Sequence, residues 1–242
     1  MSTLYLDDHL EHATPGDLLA LGGAEAKHAV SVSRVRPGEH VMVGNGRGLL
    51  VTGVVESARP GEVVVTAESV DSHSPRTPRV HLAQALAKGD RDERAVQMCT
   101  ELGVTGVIPW QAARSVSRWD AAKAAKGVQR WQTIAREASK QSLRAHIPVV
   151  ETAATTADLA DRAADSRMLV LDPQADTSLS SIHLDDRAIT IVVGPEGGIE
   201  EREFKIFANA GAERVRLGPT VLRTSSAGAA SLAVLNVMTG LW

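Results

Sequence analysis

Apolar residues recur along this chain in two rhythms, and the change between them divides it. Up to about residue 72 the apolar runs are short: His40-Val41-Met42-Val43, Leu49-Leu50-Val51-Thr52-Gly53-Val54-Val55 and Glu62-Val63-Val64-Val65-Thr66-Ala67. Between them lie Pro37-Gly38, Gly44-Asn45-Gly46-Arg47-Gly48 and Pro60-Gly61. Asn45-Gly46 between two such runs is a hairpin signal, and short strands at this spacing predict a small β-barrel. The 44–48 glycine cluster joins two strands and lacks a following helix, so it reads as a turn rather than a dinucleotide fingerprint. Asp71-Ser72-His73-Ser74-Pro75-Arg76-Thr77-Pro78 is polar, holds two prolines and reads as a linker. Two domains are therefore expected, 1–74 and 75–242.

Beyond the linker, strand-like and helix-like segments alternate, as in an α/β fold built on a parallel sheet. Val80 to Leu86 is a predicted strand. Asp90 is placed to cap a helix running to Leu102, with Ala95, Met98, Cys99 and Leu102 on its inner face and Gly103 as its stop. Val107 to Trp110 is the next strand, and a long helix is expected over Ala121–Leu143 with Val128, Trp131, Ala135 and Ala138 buried. A strand at Pro148–Val150, a helix over about Thr156–Ala164 and a strand at Met168–Asp172 follow. Cys99, on an apolar helix face, reads as core packing.

The most informative stretch is Ile189 to Glu203, ITIVVGPEGGIEERE. A β-branched run reads as a fully buried strand. Gly194-Pro195-Glu196-Gly197-Gly198 breaks it, and Glu200, Glu201 and Glu203 open a helix at the end where negative charge is favoured. Strand, glycine loop and helix together form a ligand-binding edge in open α/β sheets. A second punctuated segment, Leu217-Gly218-Pro219-Thr220-Val221-Leu222-Arg223-Thr224, follows the strand-like Arg214–Leu217 and precedes a last helix. Thr224, Ser225 and Ser226 are placed to cap that helix, and Ala227 to Leu241 is rich in small residues that allow close packing. Two such loops after neighbouring strands would wall one small-molecule pocket.

Composition narrows the classes. At 242 residues with 43% hydrophobic content the chain can bury a substantial core. No signal peptide or membrane-length apolar run is evident, so a cytoplasmic location is expected. A single cysteine excludes an internal disulfide and any cysteine-cluster metal site. The net charge of -3 hides an asymmetry. Residues 1–75 carry five Lys/Arg against ten Asp/Glu (-5), 76–150 thirteen against six (+7), and 151–242 eight against thirteen (-5). A basic middle suggests either a polyanion partner on one face or a solvated, arginine-rich helix face.

No metal, serine-hydrolase or P-loop signature occurs, so no metal is expected. The residues point to binding a cofactor and, through Arg223, to stabilising a developing negative charge. Here the motifs carry a resemblance. Val193–Gly198 paired with Leu217–Thr224 resembles the SPOUT-class methyltransferases, and more narrowly the family that methylates N3 of a uridine in 16S ribosomal RNA. Lys88-Gly89-Asp90-Arg91, Glu101-Leu102-Gly103-Val104 with Pro109, and Arg136-Glu137-Ala138, Gln141-Ser142, Arg144 and Pro148 resemble that family's helices. Lys27-His28-Ala29-Val30, Arg34, Arg36-Pro37-Gly38 and Gly44–Gly48 resemble its N-terminal PUA-like barrel.

The resemblance implies a deep trefoil knot in the C-terminal domain, an obligate homodimer, and S-adenosylmethionine held in the knotted loops. On that reading Leu171, Val193, Gly194, Glu196, Gly197, Gly198, Leu217, Gly218, Val221 and Leu222 bind the cofactor and Arg223 is catalytic. Arg34, Arg36, Arg114, Arg118, Arg130, Lys140 and Arg144 would grip the phosphates of 16S rRNA within the 30S subunit. Ser225 stands where family members often carry an acidic residue. The alternatives are methylation of another RNA atom (a ribose 2′-oxygen or a guanine) and a non-catalytic rRNA-binding assembly factor.

Overall fold

The computed structural model describes residues 3–242, which form two compact units. The first runs to Pro75 and also takes in Ser139–Ile147. Its strands are β1 (Leu4–Leu6), β2 (Leu18–Gly22), β3 (His40–Gly44), β4 (Leu49–Arg59) and β5 (Glu62–Ser72), with helix α1 (Gly23–Ser31) after β2. They make one five-stranded sheet in the order β1-β3-β4-β5-β2, antiparallel except for the parallel pairing of β1 with β3. The predicted β3–β4 hairpin forms. Gly46 and Gly48 take positive φ (68° and 114°), and the Asn45 Oδ1 accepts from the amides of Arg47 and Leu49. Tyr5, Leu21, Val43, Val51, Val63 and Val65 fill the core under Ala26 and Ala29 of α1.

The sequence division at 74/75 leaves 139–147 on the wrong side, because the contacts that place it are non-local. Gly48 donates its amide to the Ala145 carbonyl, Ile147 donates to Gly46, and Lys140 Nζ lies 3.0 Å from Glu25 Oε1. No local pattern near residue 140 announces a return to the first sheet.

The second unit holds β6 (Val80–Ala85), α2 (Arg91–Glu101), β7 (Gly106–Trp110), α3 (Ala121–Gln141, its last turn counted with the first unit), β8 (Val149–Val150) and α4 (Thr156–Asp161). It continues with β9 (Ser166–Leu171), β10 (Ala188–Val193), α5 (Glu201–Asn209), β11 (Glu213–Val215) and α6 (Thr224–Met238). The six strands lie in the order β11-β9-β10-β6-β7-β8 and every pairing is parallel. Such a sheet is covered on both faces, which is why its strands read as continuous apolar runs. Successive residues face opposite ways. Leu82, Leu169 and Ile191 join the core with α2, α6 and Trp131 of α3, while Ala83, Val170 and Val192 join the core with Leu159 of α4 and Phe207 of α5.

Several predicted boundaries shift for identifiable reasons. Asp90 occupies the N-cap of α2 without a side-chain cap, pairing instead with Arg94 at 2.9 Å. Leu143 takes φ 54°, so α3 stops at Gln141. No side chain caps α6: the Thr224 hydroxyl, expected to do so, turns to the Gly194 carbonyl at 2.8 Å. Cys99 is buried in the core, and desolvation pushes its thiol up to about 12, which leaves no thiolate for chemistry.

Gly228 lets α6 lie close on β6 and α2. A Cβ there would fall 2.9 Å from Leu82 Cδ1 and 3.1 Å from Cys99 Sγ. Gly228→Val is expected to lower the unfolding free energy by about 1–3 kcal/mol in urea titration, the usual cost of an overfilled core; an unchanged midpoint would show that this contact is slack.

Candidate functional site

All six strands end on the same side of the second sheet, and β6 is where the order turns. From β6 the chain proceeds outward through β7 and β8, then returns to the other flank with β9 and slips β10 between β9 and β6. Ligands of open α/β sheets bind outside the carboxyl ends at such a turning point. A cleft of about 1120 Å³ lies there. Its walls are Leu171–Gln174 after β9, Val193–Ile199 after β10 except Gly197, and Val215–Thr224 after β11, with Phe204 and Ala227 below.

The cleft brings together nine of the ten residues assigned to the cofactor: Leu171, Val193, Gly194, Glu196, Gly198, Leu217, Gly218, Val221 and Leu222. Gly197 does not line it and packs under the β7–α3 loop, where a Cβ would meet Arg114 Cβ at 3.1 Å. Gly198 takes φ 73°, and a Cβ on Gly194 would lie 2.7 Å from Ile199 Cγ1, so the loop can close only with glycine at these two points. In the other wall, among the described residues, no backbone amide from Leu217 to Leu222 donates to another protein group. Unpaired amides and carbonyls facing a cleft are free to read a ligand. Val221 is 77% exposed, an apolar side chain standing at the mouth.

Charge is distributed unevenly. Arg91 Nη1 sits 2.5 Å from Glu196 Oε1, which also accepts from the Lys88 amide at 3.1 Å. Burial pushes the Glu196 carboxyl up, but Arg91 and the loop amides outweigh it and hold the group below the ordinary glutamate range. Arg214 pairs with the buried Asp172 and lies 4.1 Å over the Phe204 ring. Arg223, at the N-cap of α6, lines the cleft, is exposed, and among the described residues has no carboxylate partner. An unpaired guanidinium beside a helix N-terminus is suited to a developing anion.

Glu203, on the first turn of α5 and buried, ties the surroundings together. Its Oε1 accepts from the Ala113 amide (2.9 Å) and the Thr156 hydroxyl (2.8 Å), and its Oε2 accepts from the Glu200 amide (3.1 Å). The loop bearing Arg114 is thereby fixed beside the cleft, with Arg114 Nη1 3.2 Å from the Gly197 carbonyl.

The seven residues assigned to phosphate contacts do not form one set. Arg114, Arg118 and Arg130 belong to the second unit, and Arg34, Arg36, Lys140 and Arg144 to the first. Arg118 donates to the Ala113 carbonyl, and Arg130 is exposed but paired with Glu93. Lys140 is a correction: it is buried, and its ammonium is neutralised by Glu25, which removes it from any phosphate-facing surface. The sequence reading passed over Gln84, Asp172, Arg91, Arg214 and Glu203 as site-building residues. The sequence signals available were Gln84 as a polar residue inside the apolar strand LAQAL, Arg91 in the Lys88–Arg91 motif and Glu203 in the acidic start of a helix.

The structure thus holds an all-parallel sheet with a glycine-walled cleft at its carboxyl ends and a small five-stranded unit, and comparison with known proteins gives the class. Residues 74–236 match the RNA methyltransferase domain and residues 21–68 the RNA methyltransferase PUA domain. Within that class the chain belongs to the ribosomal RNA small subunit methyltransferase E family. It is 41% identical over 233 residues to the Mycobacterium bovis protein of that name (94% of this chain, 89% of the relative) and 31% identical to that of Bacillus subtilis (92% and 91%). The structure of the Neisseria gonorrhoeae family member bound to S-adenosyl methionine superposes with a TM-score of 0.88 at 28% identity, covering 98% of both chains. A methyltransferase of Legionella pneumophila in complex with the same cofactor gives identical figures.

Glu196 provides a pH signature of the cleft. Its folded-state pKa is depressed, so its contribution to stability is present above the ordinary value of 4.5 and is lost as pH falls through the folded value. The stability difference between the parent protein and Glu196→Gln, from urea unfolding, should hold steady between pH 7 and 5 and shrink below that; a difference independent of pH would mean the pair with Arg91 is not formed.

Proposed function

We propose that this chain is an S-adenosylmethionine-dependent methyltransferase that methylates N3 of a specific uridine in 16S rRNA of the small ribosomal subunit, in the cytoplasm and as a homodimer. The observation that carries the reading is the cleft itself. Apolar and glycine-rich loops wall it, and the 217–222 wall, whose backbone amides are unpaired among the described residues, ends in the free Arg223 guanidinium. Its volume of about 1120 Å³ lies just above the roughly 300–1,000 Å³ of ordinary small-molecule pockets. The wall groups of Leu217–Leu222 would hold the adenine edge, Gly194–Gly198 the chain running to the sulfur, and Leu171 the adjoining apolar surface. When bound, the cofactor supplies a methyl group activated by the sulfonium charge.

The chain's own residues supply positioning and charge. Uracil N3 carries a proton and becomes nucleophilic as that proton leaves; negative charge then spreads onto O2 and O4. Arg223 would offer its N–H donors to those oxygens. The base must be unstacked to enter, because N3 faces its pairing partner in a duplex. Arg114 and Arg118 on the β7–α3 loop, with Arg34 and Arg36 of the first unit, are the phosphate-gripping candidates. The first unit, with its PUA likeness, is assigned to RNA binding, and the second to catalysis.

The proposed knot is supported by the path after β11. Arg216 donates its amide to the Thr177 carbonyl and accepts from the Leu179 amide, so this segment is laced into the β9–β10 crossover before α6 reaches β6. The proposed homodimer is supported by exposed apolar side chains at the end of α6 and beyond it, Val237, Leu241 and Trp242.

With 30S particles as substrate, nucleoside mass spectrometry should find N3-methyluridine; a 2′-O-methyl or methylguanosine product would overturn the assigned atom, and cofactor binding with no transfer would favour an assembly factor. Arg223→Ala should lower kcat about 10²–10³-fold, the cost of removing one preorganised donor, with donor Kd by calorimetry within about threefold. Unchanged turnover would remove Arg223 from the chemistry.

A further inference from the structure

Three elements meet in a short buried chain of hydrogen bonds beneath the cleft. Gln84, at the carboxyl end of β6, is fully buried and donates through Nε2 to the Ala85 carbonyl (3.1 Å) and to Thr224 Oγ1 (2.9 Å). The Thr224 hydroxyl, also buried, lies 2.8 Å from the Gly194 carbonyl. Both ends of the chain are carbonyls, which only accept. The Gln84 amide must therefore present its two N–H groups, and the Thr224 proton must point to Gly194. No other direction satisfies the three contacts. The arrangement leaves Gln84 Oε1 buried and, among the described residues, without a partner, a costly feature of a kind that calls for an explanation.

We propose that Gln84 and Thr224 are positioning residues that set the orientation of Arg223 against the donor loop. The inference rests on the assignment of Arg223 to the acceptor base. The Gly194–Gly198 loop has anchors besides Thr224: Arg91 and the Lys88 amide on Glu196, Arg114 on the Gly197 carbonyl, and its own turn from Gly198 to Pro195. The Arg223 carbonyl accepts from the amides of Ser226 and Ala227, but its guanidinium has no such set among the described residues. The residue precedes α6, no side chain caps that helix, and the 217–222 segment before it makes no amide bonds to the protein. Thr224, its immediate neighbour, is the side chain that ties this end of α6 to the loop. Breaking the relay should leave the donor site built while freeing the guanidinium, so the loss should fall on kcat.

The test uses the full-length enzyme with 30S particles and S-adenosylmethionine, comparing Thr224→Val, which keeps shape and removes the hydroxyl, with Thr224→Ser, which restores it. Thr224→Val should lower kcat at least tenfold with donor KM changed less than threefold, and Thr224→Ser should stay within threefold of the parent. Added to Arg223→Ala, Thr224→Val should slow the enzyme no further, since the relay acts through that side chain. Gln84→Met, which removes the unpaired oxygen along with the donor, covers the case in which Thr224→Val fails to fold: it should lower kcat without a matching fall in unfolding midpoint. Parent-like turnover in Thr224→Val or Gln84→Met, failure of serine to rescue, or effects that multiply with Arg223→Ala would overturn the relay while leaving Arg223 itself in place. Parent-like turnover in Arg223→Ala alone would instead overturn the acceptor assignment on which the relay depends.

Discussion

Ile189–Val193 is hydrogen-bonded along both edges, to Val80–Gln84 on one side and to residues of Ser166–Leu171 on the other, and its side chains are buried on both faces. A strand held this way cannot slide, because a one-residue slip would turn Ile191 and Val192 to the wrong cores. Its end is therefore a fixed point. The chain must leave the sheet after Val193, which lies opposite Gln84, and the glycine turn that follows is set in one cleft with the ends of β9 and β11. The cleft is a consequence of that register. The loops contribute conformation and chemistry, and the parallel ladder contributes their placement.

Helix α6 gives the same sheet its second constraint. It is apolar and rich in small residues, and polar side chains pin it at both ends. At its start Thr224 reaches the Gly194 carbonyl; near its end the buried Asn236 donates to Leu102 O and accepts from Arg76 at 2.7 Å. Between them Gly228 lets the helix settle on Leu82 and Cys99. The segment entering this helix carries Arg223, so packing along α6 fixes where the backbone of that residue joins the cleft wall. Two of the carboxylates lining the cleft are paired with other arginines, Glu196 with Arg91 and Asp172 with Arg214. Arg223 has no carboxylate partner among the described residues.

Much of this was legible in the sequence because parallel strands and glycine loops write strong local signals. The runs at 80–86, 168–172 and 189–193 became strands, and the two punctuated loops met in one cleft. The missed features have a common cause: they depend on partners remote in sequence. Thr224 looked like a helix cap, and only the fold shows its hydroxyl aimed at Gly194, thirty residues earlier. Lys140 looked like part of a basic stripe, yet it is buried against Glu25, 115 residues away. Helix α1 went unpredicted because nine residues with only Ala26 and Ala29 buried carry little periodic signal.

If the loops after β10 and β11 clasp one ligand between them, both should be protected when it binds. Amide hydrogen exchange with and without S-adenosylhomocysteine, the demethylated donor, tests this directly. Slowed exchange confined to residues 194–198 and 216–222, with the amides of the first unit unchanged, is the predicted result. Protection of only one of the two loops, or of neither, would contradict it.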